Sequence, residues 1–146
     1  MTKKIYRPTD IEQPGLSRPG PLPELPAIPA GWPSPSDDYI EGELDLQQLV
    51  VKNPPWTYFL RAMGHSMQGA GIYDGDILVV DRSLDAANNR IVIAAIDGEL
   101  TIKRLHYRGK RIFLAPENPE YEEIEITGNP EAYIWGVVTY NLHKLT

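Results

Sequence analysis

The chain has 146 residues, 42% of them hydrophobic and 23% charged, with a formal net charge of −6. That composition fits one globular domain with a short appendage. It contains no cysteine, which excludes disulfides, thiolate metal sites and a cysteine nucleophile, and its acidic balance argues against sequence-specific DNA binding, which usually shows as a basic surplus. The longest purely apolar run, Ile91 to Ile96, is far short of the roughly 20 residues that a membrane helix needs. MTKKIYRPTD at the N-terminus has lysines but no apolar stretch after them, so no signal peptide is expected. The expected compartment is the cytoplasm, with no membrane partner, no cofactor and no metal.

Nine of the 14 prolines fall between Arg7 and Ser36. Proline removes backbone donors and fixes φ, so this stretch forms neither a helix nor a central strand. Residues 1–38 are read as an extended arm and residues 39–146 as the folded domain. In ELDLQQLVVKNPP, Asp45 is an N-cap, Leu46, Leu49 and Val50 follow at helical spacing, and Pro54 and Pro55 end the helix. After Pro55 the period becomes that of strands. The segments are WTYFLRAM, DILVVD, RIVIAAI, LTIKRLHY, RIFLA, YEEIEI and AYIWGVVTYNL. DILVVD is a continuous apolar run, hence a strand buried on both faces. Asp97-Gly98 favours the positive φ values of a type I′ turn and joins RIVIAAI to LTIKRLHY as a hairpin. Seven short strands with one short helix predict an all-β domain, sandwich or partly closed barrel.

Lys103, Arg104, Arg108, Lys110 and Arg111 crowd one stretch, and Glu117, Glu120, Glu122, Glu123 and Glu125 crowd the next. They read as the solvated face of a hairpin, or as a partner-docking patch.

The loop MGHSMQGAGIYDGDIL holds four glycines within twelve residues, so backbone there turns tightly or approaches something closely. Ser66 sits near its start. It is either a turn serine bonded to its own backbone or a nucleophile beside oxyanion-holding N–H groups. A nucleophilic serine needs a base. His65 adjoins Ser66, but neighbours on an extended chain point apart. His106 and His143 lie near strand ends, and no GxSxG pattern supports a Ser-His-Asp triad. Lysine is the other option, once neutral. Lys103 lies inside a predicted strand on the face of Thr101 and Leu105, whereas Arg104 shares a face with Leu100 and Ile102. Only the lysine can act as a base, because arginine keeps its proton. Lowering a lysine pKa costs about 1.4 kcal/mol per unit. The residues alone leave Lys103 open as an exposed edge-strand lysine.

Gly64-His65-Ser66-Met67, then GIYDGDILVVD and IVIAAIDGELTIKRL, resemble the Ser-Lys peptidase domain of LexA-type repressors and UmuD-type mutagenesis proteins. The family's lysine block, E-x-T-x-K-x-L, is Glu99 to Leu105 here, and the family's serine-to-lysine step equals the 37-residue step from Ser66 to Lys103. LAPENPEY, residues 114–121, is similar to the family's following strand and turn. The resemblance runs from about Gly31 to Thr146. It implies a LexA/signal-peptidase-like β-domain, Ser66 as nucleophile, Lys103 as general base, and backbone amides around Ser66 and Met67 as oxyanion holders. AGWPSPSDDYIE resembles the UmuD cleavage region, with Ala30–Gly31 as the implied scissile bond. Small residues there leave the carbonyl accessible, and Pro29 and Pro33 hold the flanks extended. The resemblance further implies an SOS-response protein, cleaved when RecA filaments form on single-stranded DNA. The product, residues 31–146, would join a UmuC-like error-prone polymerase as a homodimer. Three other readings are a non-catalytic polymerase accessory, a signal peptidase lacking its anchor and a LexA-like repressor lacking its DNA-binding domain. His65 stands where acidic or apolar residues are common in the family, and the arm is longer and richer in proline than expected.

Overall fold

The computed structural model describes Leu25, residues 27–32 and residues 43–146. Most of the expected arm lies outside these residues. The described part of it is exposed, with Trp32 92% accessible. The helix appears as α1, Leu46–Val50, and Asp45 caps it by accepting from the N–H groups of Gln47 and Gln48. Such a cap contributes about 1 kcal/mol. Pro54–Trp56 forms a single 3₁₀ turn that leads into the sheet.

All seven expected strands form: β1 Thr57–Arg61, β2 Ile77–Asp81, β3 Ile91–Ile96, β4 Glu99–Arg108, β5 Arg111–Ala115, β6 Ile124–Glu125 and β7 Ala132–Leu142. They make one antiparallel sheet in the order β1-β2-β7-β3-β4-β5-β6. One continuous sheet with β1 and β6 as its edges replaces the alternative of two stacked sheets and agrees with that of a single, incompletely closed one. β7 is the seam between its halves. Its register slips opposite Val79/Val80 of β2 and opposite Ile93/Ala94 of β3. A bulge bends its strand and increases the local twist, so two of them let one sheet wrap its own core.

Both faces of the sheet are covered. One face carries Leu78, Val80 and Ile93 with Ala62, Met67 and Ile72 from the loop after β1. On the other, Val92, Ala94, Leu105, Leu114 and Val137 pack with Ile126, and Val79 packs against Val50 and Val51 at the helix. This is why DILVVD has no polar alternation. Asp97 and Gly98 both adopt positive φ, +50° and +82°, as a type I′ turn requires. The turn fixes the β3–β4 register and sets Lys103 opposite Val92.

Candidate active site

The site lies where the loop between β1 and β2 folds back onto β4. The loop's neck is closed by two backbone bonds. The Ala62 N–H donates to the Asp76 carbonyl and the Gly75 N–H to the Ala62 carbonyl, both at 2.8 Å. Gly64, at φ +87°, turns the chain out of β1, and its N–H donates to the Asp74 carboxylate across the loop at 2.8 Å. Met67 then drives its side chain into the core, 2% exposed, beside Ala62, Ile72 and Leu78. Ser66 is therefore pinned by the residue that follows it. A 3₁₀ turn, Gln68–Ala70, returns the chain toward β2.

The far side of the loop is held by residues beyond β5. The Glu117 N–H donates to the Ser66 carbonyl and the Gly69 N–H to the Glu117 carbonyl, both at 2.7 Å. The Asn118 amide donates to the His65 carbonyl at 2.8 Å. Residues 115–119 and Tyr121 line an open groove of about 470 Å³, which borders the serine loop through Glu117 and Asn118.

Lys103 reaches this loop from β4. Its Nζ lies 3.1 Å from Ser66 Oγ, 3.0 Å from Thr101 Oγ1 and 3.0 Å from the Ile102 carbonyl. The Thr101 contact places Lys103 on the strand face that period 2 assigns to it. The residue is buried, 8% exposed, and its amine makes no ion pair among the described residues. Burial holds its pKa below the usual lysine value, because a low-dielectric setting disfavours the charged form. All three contacts are to neutral oxygens. Protonated, Nζ donates to all three oxygens; neutral, it would keep two of these bonds and leave its lone pair to accept the Ser66 hydroxyl proton. The N–H groups of Ser66 and Met67 have no protein acceptor among the described residues.

The histidines do not bind Ser66. His65 is exposed, and its Nδ1 meets the Gln68 side chain at 3.0 Å. His143 contacts the Asp76 carboxylate at 2.6 Å. Asp76, 2% exposed, was not legible as special in the sequence. Burial pushes its carboxyl up, but hydrogen bonds from the Tyr73 N–H, His143 and Asn141 outweigh this and hold it below the usual range. Asn141 also donates to the Gly71 carbonyl, so this cluster ties the loop's end to β7. Ala30 and Gly31 are not brought to Ser66 by any hydrogen bond. Both are exposed, and a Cβ added to Gly31 would meet no heavy atom within 4 Å. Thr101, Glu117 and Asn118 were also missed as individual site residues. Only the likeness of LAPENPEY to the family hinted that its segment matters.

The two charge clusters pair with each other. Arg108 binds Glu123 with two bonds of 2.7 Å, Arg111 binds Glu125 at 2.9 and 2.7 Å, and Arg104 binds Glu117. This favours the hairpin-face reading over a docking patch.

A family model described as peptidase S24-like matches residues 23–139. Protein MucA of Salmonella typhimurium is 46% identical over 134 residues, covering 90% of this chain and 91% of its own. Protein ImpA of Shigella flexneri is 48% identical over 118 residues, or 79% of this chain and 78% of its own. The LexA repressor of Bordetella avium is 35% identical over 127 residues, which is 84% of this chain but 59% of the repressor. The chain belongs to the peptidase S24-like family, the group of UmuD- and LexA-type proteins to which its serine and lysine blocks point.

Proposed function

We propose that the protein is a serine autopeptidase that cuts its own arm between Ala30 and Gly31, with Ser66 as nucleophile and Lys103 as general base. The observation that carries this reading is the 3.1 Å approach of Lys103 Nζ to Ser66 Oγ by a buried amine with a lowered pKa. A lysine kept for stability would have a carboxylate beside it, since an unpaired buried cation is destabilising. A lysine kept as a base is better without one, because a counter-charge would raise its pKa.

The chemistry follows from the contacts. Neutral Lys103 accepts the Ser66 proton as Oγ attacks the Ala30 carbonyl carbon. The negative charge that develops on the carbonyl oxygen is held by the N–H groups of Ser66 and Met67. Lys103 returns the proton to the departing Gly31 nitrogen, the C–N bond breaks, and water then hydrolyses the acyl-serine ester.

The arm is tethered, so its effective concentration at the site is of millimolar order. Slow cleavage then reflects a rarely docked arm or a mostly protonated lysine. The open, exposed Ala30–Gly31 segment fits the first cause. A RecA filament on single-stranded DNA would act as trigger by binding the docked state preferentially. In this reading the protein acts in the cytoplasm during the SOS response. Residues 31–146 then form a homodimer that serves as a subunit of a UmuC-like translesion polymerase.

The test is incubation of the purified chain with RecA, single-stranded DNA and a nucleotide analogue, followed by mass spectrometry. The expected product begins at Gly31 and is lost in Ser66→Ala and in Lys103→Ala. Cleavage at another bond, or persistence in either variant, refutes the assignment. A stable intact chain that still binds the polymerase marks a non-catalytic accessory instead.

A further inference from the structure

We infer that Glu117 and Arg104 form a bracket that sets the distance between Ser66 and Lys103, so that both are positioning residues for the nucleophile; this deepens the Ser-Lys reading of the site and rests on it. Glu117 acts through three groups at once. Its N–H donates to the carbonyl of Ser66 itself, and its carbonyl accepts from the N–H of Gly69, three residues on. Its carboxylate takes the Nε–H of Arg104, the residue that follows Lys103 in β4.

Arg104 is fixed at its other end as well, where Nη1 donates to the Asn89 carbonyl at 2.7 Å. A closed circuit results. It runs from Lys103 along the backbone to Arg104, through the guanidinium to Glu117, through the Glu117 N–H to Ser66, and across the 3.1 Å contact back to Lys103. Adjacent strand residues point to opposite faces, so Arg104 does not compete with Lys103 for the hydroxyl. It transmits the position of β4 to the loop from behind.

A second observation shows how close the loop and the strap must come. A Cβ on Gly69 would lie 2.5 Å from the Glu117 carbonyl oxygen and 3.3 Å from its carbon. Only glycine permits that approach. A partly exposed arginine–glutamate pair ordinarily contributes little to stability. A pair whose carboxylate end also holds the nucleophile by its own backbone contributes to rate instead, since misplacing a reacting group by about 1 Å can cost on the order of a hundredfold.

The experiment measures reaction of the full-length chain with a small alkyl fluorophosphonate from pH 6 to 11. In that reaction Ser66 Oγ bonds to phosphorus, the P–F bond breaks, fluoride leaves and Lys103 takes the proton. The readout therefore needs the Ser-Lys pair but not the arm. Arg104→Gln and Glu117→Gln should each react about fivefold to tenfold more slowly at every pH, and Gly69→Ala about a hundredfold more slowly. The reciprocal variant R104E/E117R should regain at least threefold over the slower single variant. A purely electrostatic effect on the lysine would look different. Removing the arginine charge would move the pH midpoint up, removing the glutamate charge would move it down, and the plateau would stay. Such opposite shifts, wild-type rates in both glutamine variants, or no reaction in the wild-type chain each overturn the inference. Should the wild type react and the variants slow as stated while no arm cleavage occurs, the autocleavage reading falls and the bracket stands.

Discussion

β4 and the start of β5 carry cations into two very different settings. At Lys103 the amine is buried, touches only neutral oxygens and has a lowered pKa. A few residues on, Arg108 and Arg111 lie at the surface, each locked to a glutamate by two hydrogen bonds. Their guanidinium groups flank the ring of Phe113 at 4.3 and 4.9 Å. In the sequence these residues form one basic run. In the fold Arg108 and Arg111 are each paired with a carboxylate, and buried Lys103 has no counter-charge among the described residues. Stability alone would arrange the charges the other way round. The difference is the one the proposed Ser-Lys chemistry calls for, with the lysine placed for its lone pair and the arginines for their charge.

The sharpest way to break that contrast is to remove the pair. Ser66→Ala and Lys103→Ala should each lower the rate of arm cleavage by at least about a thousandfold, whereas Arg108→Gln should leave it within about twofold. The rate without any trigger should climb tenfold per pH unit while Lys103 is mostly protonated. It should then level off below the ordinary lysine value of 10.5, because burial lowers this pKa. First-order rates from gel densitometry between pH 6 and 11 give the midpoint. A midpoint at or above 10.5, or an equal loss in Arg108→Gln, would sink the distinction.

Leu105 probes the ground between the two settings. It shares the Lys103 face and is fully buried with Leu114 and Val137. Leu105→Ala should destabilise the domain by about 2–5 kcal/mol in urea unfolding, through lost burial and the cavity left behind. A smaller loss would mean that the apolar wall beside Lys103 is loosely packed, and the desolvation argument would weaken with it.

The fold was legible because its signals are local. Alternation and turn chemistry located every strand, and Asp97-Gly98 fixed the β4 register that aims Lys103. The site was legible only in part. Ser66 and Lys103 are far apart in sequence, and they meet because the β1–β2 loop is bound to the residues after β5 beside β4, which no local pattern encodes. The Glu117 strap and the Asp76–Asn141–His143 cluster work through long-range backbone and side-chain bonds. Their residue types are ordinary for loops, so nothing in composition marks them. The arginine–glutamate pairs were visible as two blocks of opposite charge, but not which charge met which.

A smaller effect should appear when Lys103 is made apolar. Below its lowered pKa the folded chain holds a buried charge that the unfolded chain keeps in water, and this opposes folding. Between that pKa and 10.5 the unfolded state binds more protons, so wild-type stability rises with pH. Lys103→Met removes the titration. The variant should be more stable than wild type at pH 6, and the gap should close as pH rises toward 10.5. Urea midpoints at several pH values measure it. A gap that does not depend on pH would place the lysine in a solvated setting after all.

The smallest effect belongs to the surface pairs. The hydrogen bond from Arg111 holds the Glu125 pKa at about 2. Its contribution is thus present above the ordinary value of 4.5 and is lost as pH falls toward 2. Both groups are open to solvent, where water and salt screen the attraction and two long side chains lose freedom to make it. Glu125→Gln at pH 7 should therefore shift the urea midpoint barely beyond the error of measurement, and the shift should vanish in about 0.5 M salt. It should not change the cleavage rate. A shift that persists in high salt would mean that the β5–β6 edge depends on the pair for more than charge. A slowed cleavage rate would mean that β6 reaches the Glu117 strap, and the two settings along this stretch of chain would then be coupled rather than separate.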